Sequence, residues 1–251
     1  MAQGAHKITE QFEQELCKYT GAPYAVAVDN CSNALFLALY YELNVKKSYK
    51  RKGYNVNTDK PIITIPRHTY PSVPCEIIHA GGKVAFWDDS QFDYCSLERN
   101  MYGCIEGSYQ LYPTCVYDSA LSFTANMYKG GHMCVSFTGP YKHLKLGKGG
   151  AILTDDREAY EWFKRARFSG RQECSYHYDD FDQEYFVDLL NEGKQFIVPA
   201  IAGWNFYMMP EIAARGILLM QQFYNADGTP KHNDDLCMKY PDLSKFKVFN
   251  Q

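Results

Sequence analysis

Ala25-Val26-Ala27-Val28-Asp29-Asn30-Cys31-Ser32-Asn33-Ala34-Leu35-Phe36-Leu37-Ala38-Leu39 is the stretch on which the fold turns. Four small apolar residues read as a buried strand, four turn formers follow, and Ala34 to Leu39 is apolar on every side, as a buried helix is. A strand that passes directly into a helix is the unit of α/β architecture. Outward from it, Ile8, Phe12, Leu16 and Tyr19 recur at helical spacing and stop at Gly21. Downstream, Ile62 to Ile65 reads as a strand, Tyr70 to Ala80 as a helix closed by Gly81-Gly82, and Val84 to Trp87 as a third strand. Thr114 to Tyr117 is a buried strand ending at Asp118. His132 to Phe137 and Ala151 to Thr154 are two more, and Arg157 to Phe168 is helical. This alternation predicts an α/β domain with a mostly parallel central sheet flanked by helices. Asp88 to Pro113 yields no element, and Asn225 to Gln251 reads as a polar, irregular tail on the surface.

The composition fits one large globular domain: 251 residues, 46% hydrophobic and 22% charged. A net charge of −3 with no long basic run argues against nucleic acid or an anionic membrane as partner. Lys46-Lys47 and Lys50-Arg51-Lys52 read as a solvated loop. The start, Met1 to Lys7, is polar and leads into an amphipathic stretch, so a cytoplasmic location is expected. Nine cysteines make an odd count, and none is spaced C-x-x-C. No metal site is expected, and most of these thiols read as reduced, buried small hydrophobes.

Three places could carry chemistry. The turn Asn30-Cys31-Ser32-Asn33 lies between strand and helix, where free N–H groups and the helix dipole attract a phosphate; the same residues also serve as an ordinary N-cap. Asp118 stands at the carboxyl end of a buried strand, where open sheets place ligands. It either caps the next turn or faces a cation such as a protonated pyridine nitrogen. The loop from Ser136 to Gly150 holds Lys142, Lys145 and Lys148. It is a solvated basic turn or the seat of a desolvated, covalently reactive amine. Its glycines do not have the spacing of a nucleotide-binding P-loop.

The order of these motifs resembles the DegT/DnrJ/StrS family of nucleotide-sugar aminotransferases, which are fold type I enzymes using pyridoxal 5'-phosphate (PLP). Val26 to Leu35 looks like the family's phosphate turn, and Pro66-Arg67-His68-Thr69-Tyr70 like the segment ending in a ring-stacking aromatic. Val116-Tyr117-Asp118-Ser119-Ala120 looks like the Asp-Ala-Ala segment, and Ser136 to Asp155 like the segment of the cofactor lysine, which falls on Lys142. Arg167 to Gly170 and Gly203 to Met208 resemble two later segments.

The resemblance implies Lys142 as covalent anchor and general base, Asp118 on the ring nitrogen, and Tyr70 on the ring face. It places the phosphate at Cys31 and Ser32, with Ser136 and a neighbouring subunit's Asn205 as further contacts, and so implies a homodimer. The implied reaction moves an amino group from an amino acid, glutamate by analogy, to a keto sugar on a nucleotide, as in polysaccharide biosynthesis. Residues 1–224 would form the PLP-binding domain and 225–251 a remnant of a largely absent small domain. The chain departs from the family in its abbreviated stretch before Asp118, in Leu121 where a Gln or His is usual, in Tyr207 for an Arg, and in one residue inserted between Ser136 and Lys142. Two alternatives follow: a sugar dehydratase using a His, for which His143 adjoins Lys142, and a non-catalytic PLP-binding protein.

Overall fold

Val26 and Val28 pack into one hydrophobic cluster and Ala25 and Ala27 into a second, because successive side chains of a strand point to opposite faces. The same alternation splits Cys134 from Met133 and Val135, and Ile152 from Ala151 and Leu153. These strands are therefore covered on both faces, which is why they read as unbroken apolar runs rather than alternating ones.

A computed structural model of the protein describes residues 6–46, 60–87, 104–170 and 201–250. The N-terminal residues 1–5, the basic cluster at 47–52, Cys95 and Cys174 lie outside them. In chain order the elements are α1 (Lys7–Thr20), β1 (Tyr24–Val28), α2 (Cys31–Tyr40), β2 (Ile62–Ile65), α3 (Ser72–His79), β3 (Lys83–Phe86), β4 (Cys104–Glu106) and β5 (Tyr109–Gln110). There follow β6 (Val116–Asp118), β7 (His132–Ser136), β8 (Gly150–Thr154), α4 (Arg157–Ala166), α5 (Pro210–Met220) and β9 (Cys237–Lys239).

The main sheet has the order β1-β8-β7-β6-β5. The expectation of a mostly parallel sheet is corrected here at the level of pairing: β6 and β7 are parallel, whereas β8 runs against both its neighbours and β5 against β6. The reason is that β8 inserts between β1 and β7, and β5 returns on β6 as a hairpin in the stretch where the sequence showed no element. β2 and β3 form a parallel pair, joined to this hairpin by an antiparallel bridge between Thr64 and Tyr112. β1, β7 and β6 thus run the same way, with the reversed β8 between the first two.

α1 ends where Gly21 takes a left-handed conformation (φ 77°) and its N–H returns to Cys17 O. Phe12, Leu16 and Tyr19 of α1 pack with Ala213 and Met220 of α5 on one face of the sheet; α2 and the Ala159, Phe163 and Ala166 side of α4 cover the other. Behind β1 sits a buried ion cluster. Glu13 accepts from Ala27 N at 2.8 Å, from Lys164 Nζ at 2.9 Å and from Arg167, whose NH1 also donates to Ala27 O at 2.6 Å. The tail read as irregular contains β9, paired with β4, and two short 3-10 turns. Cys237 within β9 is disulfide-bonded, unlike the free Cys17, Cys31, Cys75 and Cys134. No helix among the described residues is long and apolar enough to cross a membrane.

Candidate active site

α2 opens on a capped turn. Asn30 Oδ1 accepts the N–H of Asn33 at 2.8 Å and Asn30 O that of Ala34 at 3.2 Å. The N–H groups of Cys31 and Ser32 are left without an acceptor among the described residues, as the first groups of a helix are. β8 passes directly beneath this turn, which only a glycine allows: a Cβ on Gly150 would lie 2.6 Å from Cys31 N. Ser32 Oγ donates to Ser72 Oγ at 2.7 Å, tying the start of α2 to that of α3.

Asp118 ends β6, buried at 5% exposure. Its Oδ1 accepts from Ala120 N at 2.9 Å and its Oδ2 from the Tyr109 hydroxyl at 3.0 Å. Tyr109 in turn lies 2.5 Å from Thr69 Oγ1. Burial raises the Asp118 carboxyl above its ordinary range, while Ala120 N–H, Tyr109 and the charge of Lys142 oppose the rise.

The loop between β7 and β8 extends their hairpin. Phe137 N donates to Gly149 O at 2.9 Å, Leu146 N to Phe137 O at 3.1 Å, and Thr138 Oγ1 to Gly149 O at 3.0 Å. Leu144 and Leu146 are buried and fix the loop, whereas Lys145 and Lys148 are exposed. Of the three lysines, Lys142 alone turns inward, and its Nζ donates to Ala120 O at 2.6 Å. Desolvation lowers its pKa, against the pull of Cys31 and Asp118. The adjacent His143 points elsewhere: its Nε2 lies 2.9 Å from Asp234 O.

These elements enclose one cavity of about 220 Å³. Cys31, Ser32, Tyr70, Asp118, Ser136 and Lys142 all line it. Asn205 does not; it is exposed, bridges to Phe168, and belongs to a strip whose Phe206 O accepts Asp29 N at 2.9 Å beside the α2 turn. Tyr207 stacks on Phe168. Tyr70 is 55% exposed and meets the ring of Tyr240 edge to face at 6.0 Å. Leu121 is buried, and its carbonyl accepts Leu236 N at 2.8 Å. Sequence reasoning missed Tyr109, Thr138, Met238 and Tyr240. Thr138 and the two tail residues line the cavity, and Tyr109 holds its acid. None of the four sits in a motif. No cluster of His, Cys, Asp or Glu that could hold a metal occurs among the described residues.

A buried acid, a desolvated amine and the open N-terminus of a helix thus share one cavity. Residues 3–106 match the model of the DegT/DnrJ/EryC1/StrS aminotransferase family. The spore coat polysaccharide biosynthesis protein SpsC of Bacillus subtilis (strain 168) is 24% identical over 92% of this chain and 60% of its own length. A Bacillus cereus ATCC 10987 structure, proposed to be a PLP-dependent aminotransferase, superposes with a TM-score of 0.58 at 18% identity, over 87% of this chain and 59% of that one. Helicobacter pylori PseC, an aminotransferase involved in the biosynthesis of pseudoaminic acid, gives 0.55 at 16% identity, over 88% and 63%. The fold is that of the fold type I PLP-dependent transferases. The chain spans about three fifths of the length of the proteins it matches.

Proposed function

We propose that this chain is a PLP-dependent aminotransferase of the sugar-modifying type, with Lys142 as its anchor and base. One observation carries the reading: the Lys142 amine and the Asp118 carboxylate, 24 residues apart in sequence, face one cavity that also receives the N-terminus of α2. The residues fit the group. Among the described residues Asp118 is bonded only to neutral N–H and O–H donors, and Lys142 spends its proton on a carbonyl rather than on the acid, so a cation is wanted opposite Asp118. When bound, PLP supplies a carbonyl for amines and a ring that accepts electrons from a breaking C–H bond.

The protein does the rest. The N–H groups of Cys31 and Ser32, with the dipole of α2, receive the phosphate. Ser136 adds a hydroxyl. Asp118 keeps a proton on the ring nitrogen, and that cation in turn holds the buried carboxyl ionised. Tyr70 covers a ring face. Desolvation leaves Lys142 Nζ readily free of its proton, so it can take one from the substrate carbon and return it elsewhere. Glutamate as donor and a keto sugar on a nucleotide as acceptor belong to this reading, as does a homodimer in which a partner's Asn205 reaches the phosphate. Residues 1–224 form its PLP-binding domain, against which the segment 225–251 packs. A cytoplasmic location accords with it, although the Cys237 disulfide weighs the other way. His143 faces Asp234 and not the cavity, which favours the lysine chemistry over that of a His-based dehydratase.

The test is spectroscopic. PLP added to the purified protein should give a visible band that borohydride fixes onto the Lys142 peptide, and glutamate should convert it to the absorbance of the amine form of the cofactor. A protein that develops no band sinks the reading; a band that glutamate leaves untouched reduces it to binding.

A further inference from the structure

The C-terminal segment is docked along the site by contacts from Asn233 to Tyr240. Asn233 Nδ2 donates to Phe123 O at 2.9 Å, Leu236 N to Leu121 O at 2.8 Å, and Tyr240 O lies 3.0 Å from His68 Nδ1. β9, between them, pairs with β4. The docking brings Tyr240 to the cavity wall beside Tyr70. Among the described residues its hydroxyl has only the Met238 thioether as acceptor, at 3.4 Å. A thioether is a weak acceptor, so this half-buried O–H is a donor waiting for a better oxygen.

Resting on the PLP reading above, we propose that Tyr240 is a ligand-binding residue: its hydroxyl leaves Met238 and donates a hydrogen bond to the ring oxygen of the cofactor held between Lys142 and Asp118. The ring oxygen is chosen over the phosphate because Tyr240 stands on the cavity wall against Tyr70, the residue read as covering the ring, whereas the phosphate belongs at the α2 turn. Burial, with the charges of Asp118 and Tyr70, pushes the Tyr240 hydroxyl up to about 12, so it remains a donor at neutral pH.

The experiment compares the full-length wild type with Tyr240→Phe, which keeps the ring and its contact with Tyr70. PLP is titrated into each and the visible band followed against pH. The hydroxyl's loss should raise the apparent Kd for PLP about 3- to 10-fold. It should also shift the pH midpoint of the band upward by roughly half a unit or more, because an oxygen without its donor holds the neighbouring proton more tightly. A wild-type band that Tyr240→Phe leaves unchanged in both respects overturns the assignment of Tyr240 alone. A change in Kd without a change in midpoint overturns the ring-oxygen contact. No band in the wild type overturns the PLP reading itself, and this inference with it. Should the variant fail to fold by circular dichroism, nitration of Tyr240 in the wild type, mapped by peptide mass, decides: PLP should slow it, and an unslowed reaction overturns the proposal.

Discussion

Lys142 owes its character to what surrounds it. Two exposed neighbours, Lys145 and Lys148, share its loop and its chemistry, yet only Lys142 is desolvated and aimed at Ala120 O. Lys142→Ala should therefore abolish the borohydride-fixed band, while Lys145→Ala keeps it, as peptide mass would show. Asp118 depends on a residue that carries no local signal. Tyr109 lies in a stretch without periodicity, and only the hairpin that folds β5 onto β6 reveals its partnership. Tyr109→Phe removes a donor that holds the Asp118 pKa down, so the acid limb of PLP affinity should move to higher pH, with a loss of about 1–2 kcal/mol in the spectral titration. The sign for stability runs the other way. A folded carboxyl raised above its unfolded value costs stability at neutral pH, so ligand-free Asp118→Asn should melt no lower than the wild type. Lys142 and Asp118 could be singled out from the sequence because motif order marks them. Tyr109 and Tyr240 could not, since a hydrogen bond between distant segments leaves no trace in either one.

Among the elements, those written in long apolar runs were legible: α1, β1, α2, β2, α3, β3, β7 and β8 fall within a few residues of where periodicity puts them. β4, β5 and β9 span two or three residues each, too few for any period to register. Strand direction was not legible either, because apolar runs do not say which way a neighbour points. The ion cluster of Glu13, Lys164 and Arg167 locks α1, β1 and α4 together. Burial alone would raise the Glu13 carboxyl, but Arg167, Lys164 and the Ala27 N–H hold it below its ordinary 4.5. Glu13→Gln removes the carboxylate that both buried cations share and should cost about 3–5 kcal/mol in urea unfolding. The folded pKa is the lower one, so this contribution is complete above the unfolded value and disappears as pH falls through the folded one.

At the scale of the whole molecule, the cavity is assembled from residues as far apart as Asn30 and Tyr240. The tail, which composition alone makes a surface appendage, supplies one of its walls. Removing residues 225–251 should weaken PLP binding more than Tyr240→Phe does, a ranking that the same titration reads. Among the described residues β1 pairs along its length with β8, Tyr24 lying opposite Thr154, and meets Tyr207 by a single bridge at Val28. On the ribosome, that strand leaves the exit tunnel long before its partner has been translated, with its hydrogen-bonding edge bare throughout. Such a nascent chain gains from a holdase or a slow, cool expression, and a heterologous host that supplies neither should deliver it largely as insoluble material.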